Sequence, residues 1–269
     1  MKNRRIPRAN LSPRHLEILE MAKRNGFLAT EELSRLLNVT VQTIRRDINQ
    51  LCEKGLLRRY HGGAGLASST ENIDYSTRQV LNYEAKVRIA RMAAVFIPDN
   101  ASLFINIGTT TEEVAKALHG HRKLRVITNN LNVAALLCGD AEFEVIIASG
   151  AVRHDLGVIG ESTIDFIRQF KVDYGVIGIS GIDEDGALLD FDYREVRVAK
   201  AIIENARQVL LVADHTKFAC SPMVRLGHIS EIDAFFTDRQ PPANIREILE
   251  KGKVALHVCG AEAKDANGD

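Results

Sequence analysis

Short polar side chains and two adjacent arginines occur together in the segment TVQTIRRDI, residues 40–48. If the segment is helical, one stripe is apolar and packs on a core, at Val41, Ile44, Ile48 and Leu51. The opposite face, with the helix start, then carries polar groups at Thr40, Gln42, Thr43, Arg45, Arg46 and Asn49. Side chains of these types reach the phosphates and base edges of DNA. Spacing alone also allows an ordinary solvated face of an amphipathic helix.

A second stretch that could do chemistry is GTTT, which follows the aliphatic run SLFIN. A strand would end at Gly108, and a helix would begin among Thr109, Thr110 and Thr111. Backbone N–H groups and hydroxyls at such a helix start suit a phosphate, and glycine lets the anion approach the backbone. The same junction is also a common way to cap a helix. No G-K-[ST] sequence follows, so the stretch is not a P-loop.

Other polar residues and glycines follow aliphatic runs and could complete a ligand site. They are Asn129 in TNN, Arg153 in GAVRHDLGVIG, Gly178 and Gly181 in GISGID, Asp190 in LLDFDYREVR, and Lys217 in ADHTKF. Lys217 would bring positive charge to a phosphate, and Arg153 lies in a glycine-flanked loop fit for a mobile lid. The alternatives are a surface lysine and, around Asp190, a solvated helix start. We predict no catalytic residue, because adjacent His154 and Asp155 would diverge and no nucleophile motif accompanies them.

Positive charge is concentrated at the N-terminus. The formal net charge is +0, yet residues 1–62 carry thirteen Lys and Arg against six Asp and Glu, and the rest carries twenty-two against twenty-nine. A basic end is expected when that end binds a polyanion, although a basic surface without a partner is the alternative. The 269 residues are 45% hydrophobic, enough for a sizeable core in one large or two unequal domains.

The remaining composition excludes several classes of protein. The four cysteines form no C-x-x-C pair, so neither a disulfide framework nor a zinc site is predicted. No apolar run reaches the roughly 18 residues that span a bilayer, and the N-terminus is polar and basic. We therefore expect a soluble, cytoplasmic protein with no membrane contact, no metal and no other cofactor.

The first sixty-five residues read as a winged helix-turn-helix. Ser12 and Thr30 are expected to cap two helices before the one that begins near Thr40. LLRRYHGGA then predicts a basic hairpin that turns at its glycines. The third helix would enter the major groove, so Gln42, Thr43 and Arg46 are candidates for base edges. The predicted phosphate contacts are Arg45, Arg59 and His61.

From residue 84 onward, seven short aliphatic runs alternate with amphipathic helical patterns. This alternation predicts an α/β domain with a mostly parallel sheet, in which ligands bind at the carboxyl ends of the strands. The predicted domains are a DNA-binding head over 1–65, a linker over 66–83, a ligand-binding domain over 84–260 and a disordered tail over 261–269.

Two sets of motifs resemble the DeoR family of bacterial repressors. TEELSRLLNVTVQTIRRDINQL and RRYHGGA resemble the DNA-binding part of the family, and GTTT, TNN, GISGID and ADHTKF follow one another as in its effector domain. The resemblance implies an effector-domain fold shared with ribose-5-phosphate isomerase and glucosamine-6-phosphate deaminase. It also implies repression of glycerol genes by a homo-oligomer on double-stranded operator DNA, with a small phosphorylated effector, glycerol 3-phosphate. One departure is Asn106, where many family members carry Asp.

An enzyme of the phosphosugar isomerase or deaminase type with an appended DNA-binding head is the rival interpretation, because a shared fold does not fix function. The isomerase-type stretch D-G-A-D-E corresponds here only to GISGID, which lacks the leading carboxylate and the acidic pair. We therefore expect a regulator and not an enzyme.

Overall fold

The computed structural model describes residues 11–25, 27–53, 56–60, 62–66, 72 and 75–260. The chain divides into an N-terminal unit, Met1–Leu81, and a C-terminal unit, Asn82–Asp269. The predicted disordered tail and the predicted phosphate contact His61 lie outside the described residues. The segment 66–83, predicted as a linker, includes a short helix, Tyr75–Val80, within the N-terminal unit.

The N-terminal unit is built from helices and a small antiparallel sheet. Its elements are α1 Pro13–Asn25, β1 Phe27–Ala29, α2 Thr30–Leu36, α3 Val41–Glu53, β2 Leu57–Tyr60, β3 Gly63–Leu66 and α4 Tyr75–Val80. The strands β2 and β3 form the predicted hairpin, the wing, with Tyr60 opposite Gly63. The sequence did not predict β1, which pairs with β3 in the order β1-β3-β2.

Two predicted helix caps in this unit had different outcomes. Ser12 caps α1, since the backbone N–H of His15 donates to its Oγ at 3.2 Å. Thr30 does not cap α2, so that prediction was wrong: it is the first helical residue, and its hydroxyl donates to the carbonyl oxygen of Gly62 at 3.0 Å. The hydroxyl therefore fixes α2 to the wing.

Three of the four residues of the predicted apolar stripe of α3 pack into the core of the N-terminal unit, and the fourth, Val41, is half-buried. Ile44, Ile48 and Leu51 are buried with Leu33 of α2 and Ile18 of α1. Burial of these side chains explains why α3 presents one fixed face to solvent.

The C-terminal unit alternates helices and strands. Its helices are α5 Tyr83–Phe96, α6 Thr109–Ala117, α7 Leu131–Leu137, α8 Glu161–Ile167, α9 Tyr193–Asn205 and α10 Ala243–Gly252. Its strands are β4 Ser102–Ile105, β5 Leu124–Thr128, β6 Phe143–Ile147, β7 Ala151–Val152, β8 Val158–Ile159, β9 Val172–Ile177, β10 Gly181–Ile182, β11 Ala187–Asp190, β12 Ala206–Val212, β13 Val224–His228, β14 Ala234–Thr237 and β15 Ala255–Val258. Two short 3-10 helices cover His215–Ala219 and Ile229–Glu231.

Seven of these strands form one sheet in the order β15-β14-β12-β9-β4-β5-β6. All its pairings are parallel, which confirms the predicted α/β class with a mostly parallel sheet. Buried aliphatic side chains form separate clusters that include alternate residues of these strands. Because every strand runs in the same direction, their ends lie along one edge of the sheet, which we call the carboxyl edge.

Smaller antiparallel pieces accompany the sheet, and the sequence did not predict them. The strands β10, β11 and β13 form a second sheet, and β7 pairs with β8. Within the described part of the chain, no helix is long and apolar enough to cross a membrane.

Candidate DNA-binding face and effector site

The polar face of α3 points to solvent. Gln42, Arg45, Arg46 and Asn49 are exposed, and Thr43 is half-buried. Among the residues that the structure describes, Arg45 and Arg46 have neither an ion pair nor a hydrogen bond from their side chains. Two guanidinium groups are therefore available to a polyanion, which binds arginine through paired hydrogen bonds and charge.

Thr40 lies at the start of α3 and is part of its capping turn. The backbone N–H of Thr43 donates to Oγ1 of Thr40 at 3.2 Å, and the two hydroxyl oxygens are 2.9 Å apart. Both threonines are therefore at the helix N-terminus, where backbone N–H groups also favour a phosphate.

Asp47 has a structural role that sequence reasoning missed. Its carboxylate is buried and accepts from Nε of Arg14 at 2.6 Å and from Nη2 at 3.1 Å, and Nε2 of His15 lies 3.3 Å away. These bonds fix α3 to α1 from the side opposite Arg45 and Arg46. The sequence did contain a signal for this role: Asp47 is an acidic residue directly after Arg45 and Arg46, at a position that faces the core.

The wing extends the basic surface. Arg59 is exposed on β2, and its Nη1 donates to Oδ1 of Asn49 on α3. Asn49 therefore orients Arg59, a pairing that the sequence did not indicate. A cavity of about 360 Å³ lies between α3 and the wing, with Arg45, Arg59 and Tyr60 among its lining residues.

In the C-terminal unit, the GTTT segment lies where β4 gives way to α6. Gly108 precedes the helix with a φ of 151°, within the range that favours glycine, and Thr109 is the first helical residue. The hydroxyls of Thr109 and Thr110 have no hydrogen bond within the described residues. Thr111 differs, because its hydroxyl lies 2.7 Å from the carbonyl oxygens of both Asn106 and Gly108 and holds the turn together.

The TNN segment follows β5, next to β4 in the sheet. Asn129 is buried, and its Nδ2 donates to the carbonyl oxygen of Val158 at 3.0 Å. Asn130 and Asn132 both donate through Nδ2 to Oε1 of Glu112 on α6, at 3.0 Å each. Glu112 therefore links the helix that follows β4 to the segment that follows β5. The sequence gave no reason to single out Glu112.

Gly178 and Gly181 have different surroundings. A Cβ atom at Gly178 would make only ordinary contacts, the nearest at 3.7 Å from Thr111. At Gly181 a Cβ atom would lie 2.3 Å from the carbonyl oxygen of Cys220, so packing requires glycine there. Asp190 is buried at the end of β11, where its Oδ1 accepts from the hydroxyl of Ser180 at 3.0 Å and from the N–H of Phe191 at 2.7 Å.

Lys217 lies in the 3-10 helix after β12. Asp214 caps this turn, accepting from the N–H of Thr216 at 3.0 Å, and it also accepts from Nδ2 of Asn82 at 3.1 Å. Lys217 has no side-chain partner among the described residues, so its ammonium group is available near the carboxyl edge. One turn beyond Asn82, the lysine Lys86 on α5 is buried, and sequence reasoning missed it.

Arg153, which lies in the loop predicted to be fit for a mobile lid, is bound by three carboxylates. Its Nε donates to Asp155 at 3.0 Å, and its Nη1 lies 3.2 Å from Asp192 and 2.7 Å from Glu195. Burial alone would lower the pKa of Arg153, but the charge of Glu195 and the hydrogen bond to Asp155 raise it above the ordinary value. The network ties the β7–β8 loop to the start of α9.

The same network affects Asp192, which caps α9. Burial would raise the pKa of Asp192, but hydrogen bonds from the side chain and backbone of Arg194 lower it below its ordinary value. Asp155 accepts a hydrogen bond from Nη2 of Arg153. No group of three metal-ligating side chains occurs in the described ranges of the chain.

Comparison with protein-family models decides the family. Residues 14–70 match the DeoR-like helix-turn-helix domain, and residues 81–239 match the DeoR C terminal sensor domain. The chain belongs to the DeoR family. The two matches lie on the two parts of the chain described above.

Curated relatives cover nearly the whole chain. The glycerol-3-phosphate regulon repressor of Escherichia coli is 50% identical over 247 residues, which are 91% of this chain and 98% of that protein. The protein of the same name from Haemophilus influenzae is 50% identical and covers 94% of this chain and 99% of its own length. The repressor CsqR of Escherichia coli is 44% identical over 91% of this chain and 94% of its own length.

Solved structures show partial likeness to the chain. Ribose 5-phosphate isomerase A from Neisseria gonorrhoeae is 16% identical, with a TM-score of 0.35, and the match covers 50% of this chain and 53% of the isomerase. The eIF2B beta structure from Chaetomium thermophilum is 15% identical, with a TM-score of 0.45, over 89% of this chain and 70% of its own.

Proposed function

We propose that this DeoR-family protein is a transcriptional repressor of genes for glycerol and glycerol 3-phosphate metabolism, released from operator DNA by glycerol 3-phosphate. The observation that carries the proposal is 50% identity to repressors of that regulon across 98% of the Escherichia coli protein's length. A match that spans the complete relative includes both the DNA-binding part and the sensor part. We further propose that it acts in the cytoplasm as a homo-oligomer, since two-fold operators are read by symmetric dimers.

The N-terminal unit would bind the operator through α3 and the wing. Arg45 and Arg46 are exposed and have no side-chain partner among the described residues, which supports this role, as does Arg59, oriented by Asn49. We assign Gln42, Thr43 and Arg46 to base edges, because recognition helices read bases with their N-terminal residues. Arg45 and Arg59 are assigned to phosphates.

The C-terminal unit would bind the effector at the carboxyl edge. We assign its phosphate to the start of α6, at Gly108–Thr110, with Lys217 supplying a positive charge. The hydroxyls of Thr109 and Thr110, which have no hydrogen bond within the described part of the chain, support this assignment. Release of DNA requires that the effector prefer the protein conformation that binds operator poorly, with a coupling of about 1–3 kcal/mol.

The proposal is tested by fluorescence anisotropy on labelled operator DNA, with glycerol 3-phosphate, glycerol and ribose 5-phosphate as competitors of binding. We expect release by glycerol 3-phosphate alone. A Thr110→Ala, Lys217→Ala double variant should bind operator normally but resist release, because its phosphate site is lost. If ribose 5-phosphate alone releases operator, the proposed regulon is wrong. Conversion of ribose 5-phosphate to product by the purified protein would favour the rival enzymatic function.

A further inference from the structure

Two buried amide oxygens at the carboxyl edge lack a hydrogen-bond donor. Asn106 follows β4 and Asn129 follows β5, and these residues are 2% and 1% exposed. Neither Oδ1 atom accepts a hydrogen bond from any residue that the structure describes. Buried polar groups are nearly always paired, so two unpaired acceptors on neighbouring strands require a physical explanation.

The sheet register places the two amides side by side. Ile105 pairs with Thr128 in the parallel β4–β5 ladder, so Asn106 and Asn129 occupy the next equivalent positions. Side chains alternate along strands, so an extended continuation of β4 and β5 would turn both amides to the same side of the sheet. Adjacent strands lie about 4.8 Å apart, a spacing that the hydroxyls of a short polyol can span.

The pair also adjoins the helix start to which we assign the phosphate. The hydroxyl of Thr111 lies 2.7 Å from the carbonyl oxygen of Asn106, so Asn106 belongs to the turn that contains Gly108. A phosphate at the start of α6 would leave its carbon chain within reach of this edge. The amide of Asn129 is already oriented, because its Nδ2 donates to Val158.

We propose that Asn106 and Asn129 select the polyol part of the effector by accepting hydrogen bonds from its hydroxyl groups. The inference rests on the proposed function and adds a ligand class, a phosphate ester that carries free hydroxyls. Neutral amides accept these bonds without repelling the phosphate dianion, as two carboxylates would. Both oxygens are sealed from solvent, so the ligand reaches them only when this edge opens. Such a ligand favours a conformation in which this edge is open, and it releases operator if that conformation binds DNA poorly.

The test compares two phosphate esters that differ only in their hydroxyls, glycerol 3-phosphate and n-propyl phosphate. Calorimetric titration of the full chain gives the ratio of their dissociation constants. We expect a ratio of about 100 for the wild-type protein, because each hydroxyl contributes roughly tenfold. Asn106→Leu and Asn129→Ala should each lower the ratio about tenfold, whereas the exposed control Asn244→Ala should leave it unchanged.

A second variant at the same position separates recognition from packing. Asn106→Asp retains an acceptor oxygen, so its ratio should stay near that of the wild-type protein while both esters bind more weakly. A ratio as low as that of Asn106→Leu overturns the inference. An unchanged ratio in Asn106→Leu and Asn129→Ala also overturns the inference. If glycerol 3-phosphate still releases operator in that case, the proposed repressor function stands. Wild-type protein that neither binds glycerol 3-phosphate nor leaves operator contradicts both proposals.

Discussion

Replacement of Arg46 by alanine should weaken operator binding and leave the fold intact. The Arg46 side chain is exposed on α3 and has no partner in the described part of the N-terminal unit. Its truncation therefore removes no intramolecular interaction. The free energy of unfolding should change by less than about 0.5 kcal/mol, the usual range for a surface substitution.

The loss in DNA binding depends on what Arg46 contacts. A bidentate contact to a guanine edge contributes about 1–3 kcal/mol, so its removal weakens binding roughly 5-fold to 150-fold. The Arg46→Ala variant should lose affinity mainly for the cognate operator, and its selectivity at one base pair should decrease. A phosphate contact would instead lower the log–log salt slope by about 0.9 on every DNA sequence. The Arg45→Ala variant is expected to show this second behaviour.

The assay is fluorescence anisotropy on an operator selected by the wild-type protein from random duplexes, repeated over a series of salt concentrations. Arg168→Ala, at an exposed arginine of the C-terminal unit, is the control for loss of one positive charge. Thermal unfolding of each variant shows whether the fold is retained. If folded Arg46→Ala protein binds operator with wild-type affinity and salt slope, the assigned role of α3 is refuted.

Three further predictions concern stability. Asp47→Ala should lower the free energy of unfolding of the N-terminal unit by about 1–3 kcal/mol, because buried hydrogen bonds from α1 are lost. Burial would raise the pKa of Asp238, but hydrogen bonds from His215 lower it below 3.8, so its ionised form stabilises the fold. The melting-temperature advantage of wild-type protein over Asp238→Asn should therefore shrink as pH falls below about 3.8. Gly181→Ala should cost about 1–3 kcal/mol, because its Cβ would meet the carbonyl oxygen of Cys220 at 2.3 Å.

Denaturant titrations and thermal melts measure these changes, and each has an outcome that contradicts it. Asp47→Ala protein as stable as wild type would show that the bonds to α1 contribute nothing. An advantage over Asp238→Asn that grows toward low pH would give the linkage the opposite sign. Unchanged stability of Gly181→Ala would mean that the backbone at Cys220 moves easily.

The sequence predicted much of the fold because local patterns carried the information. Seven aliphatic runs became the seven parallel strands of one sheet, since residues buried on both faces read as continuous apolar segments. The strands β1, β7, β8 and β10 were missed, because two or three residues are too few to show a period. The longer strands β11 and β13 were also missed. Thr30 was misassigned as a cap, because a cap and a first helical residue occur one position apart.

The candidate residues were predicted less completely, for a different reason. Residue type and position after a strand singled out Gly108, Asn129 and Lys217 near the carboxyl edge. The partners of a residue are often distant in sequence, so the pairing of Arg153 with carboxylates at the start of α9 was not predicted. The hydrogen bond that Asn49 accepts from Arg59 was not predicted either.

The sequence by itself determined the architecture of the two units, the solvent-facing arginines of α3 and the family. These features follow from local properties: the periods of helices and strands, the residues at helix starts, and the uneven distribution of charge. Such properties are the same in any arrangement that buries the apolar stripes. Only the tertiary structure decided which polar groups are satisfied. Asp47 is paired, Thr111 holds its own turn, and the oxygens of Asn106 and Asn129 have no donor among the described residues. Hydrogen bonds are short and directional, so they depend on the register between strands that the sequence pattern does not specify.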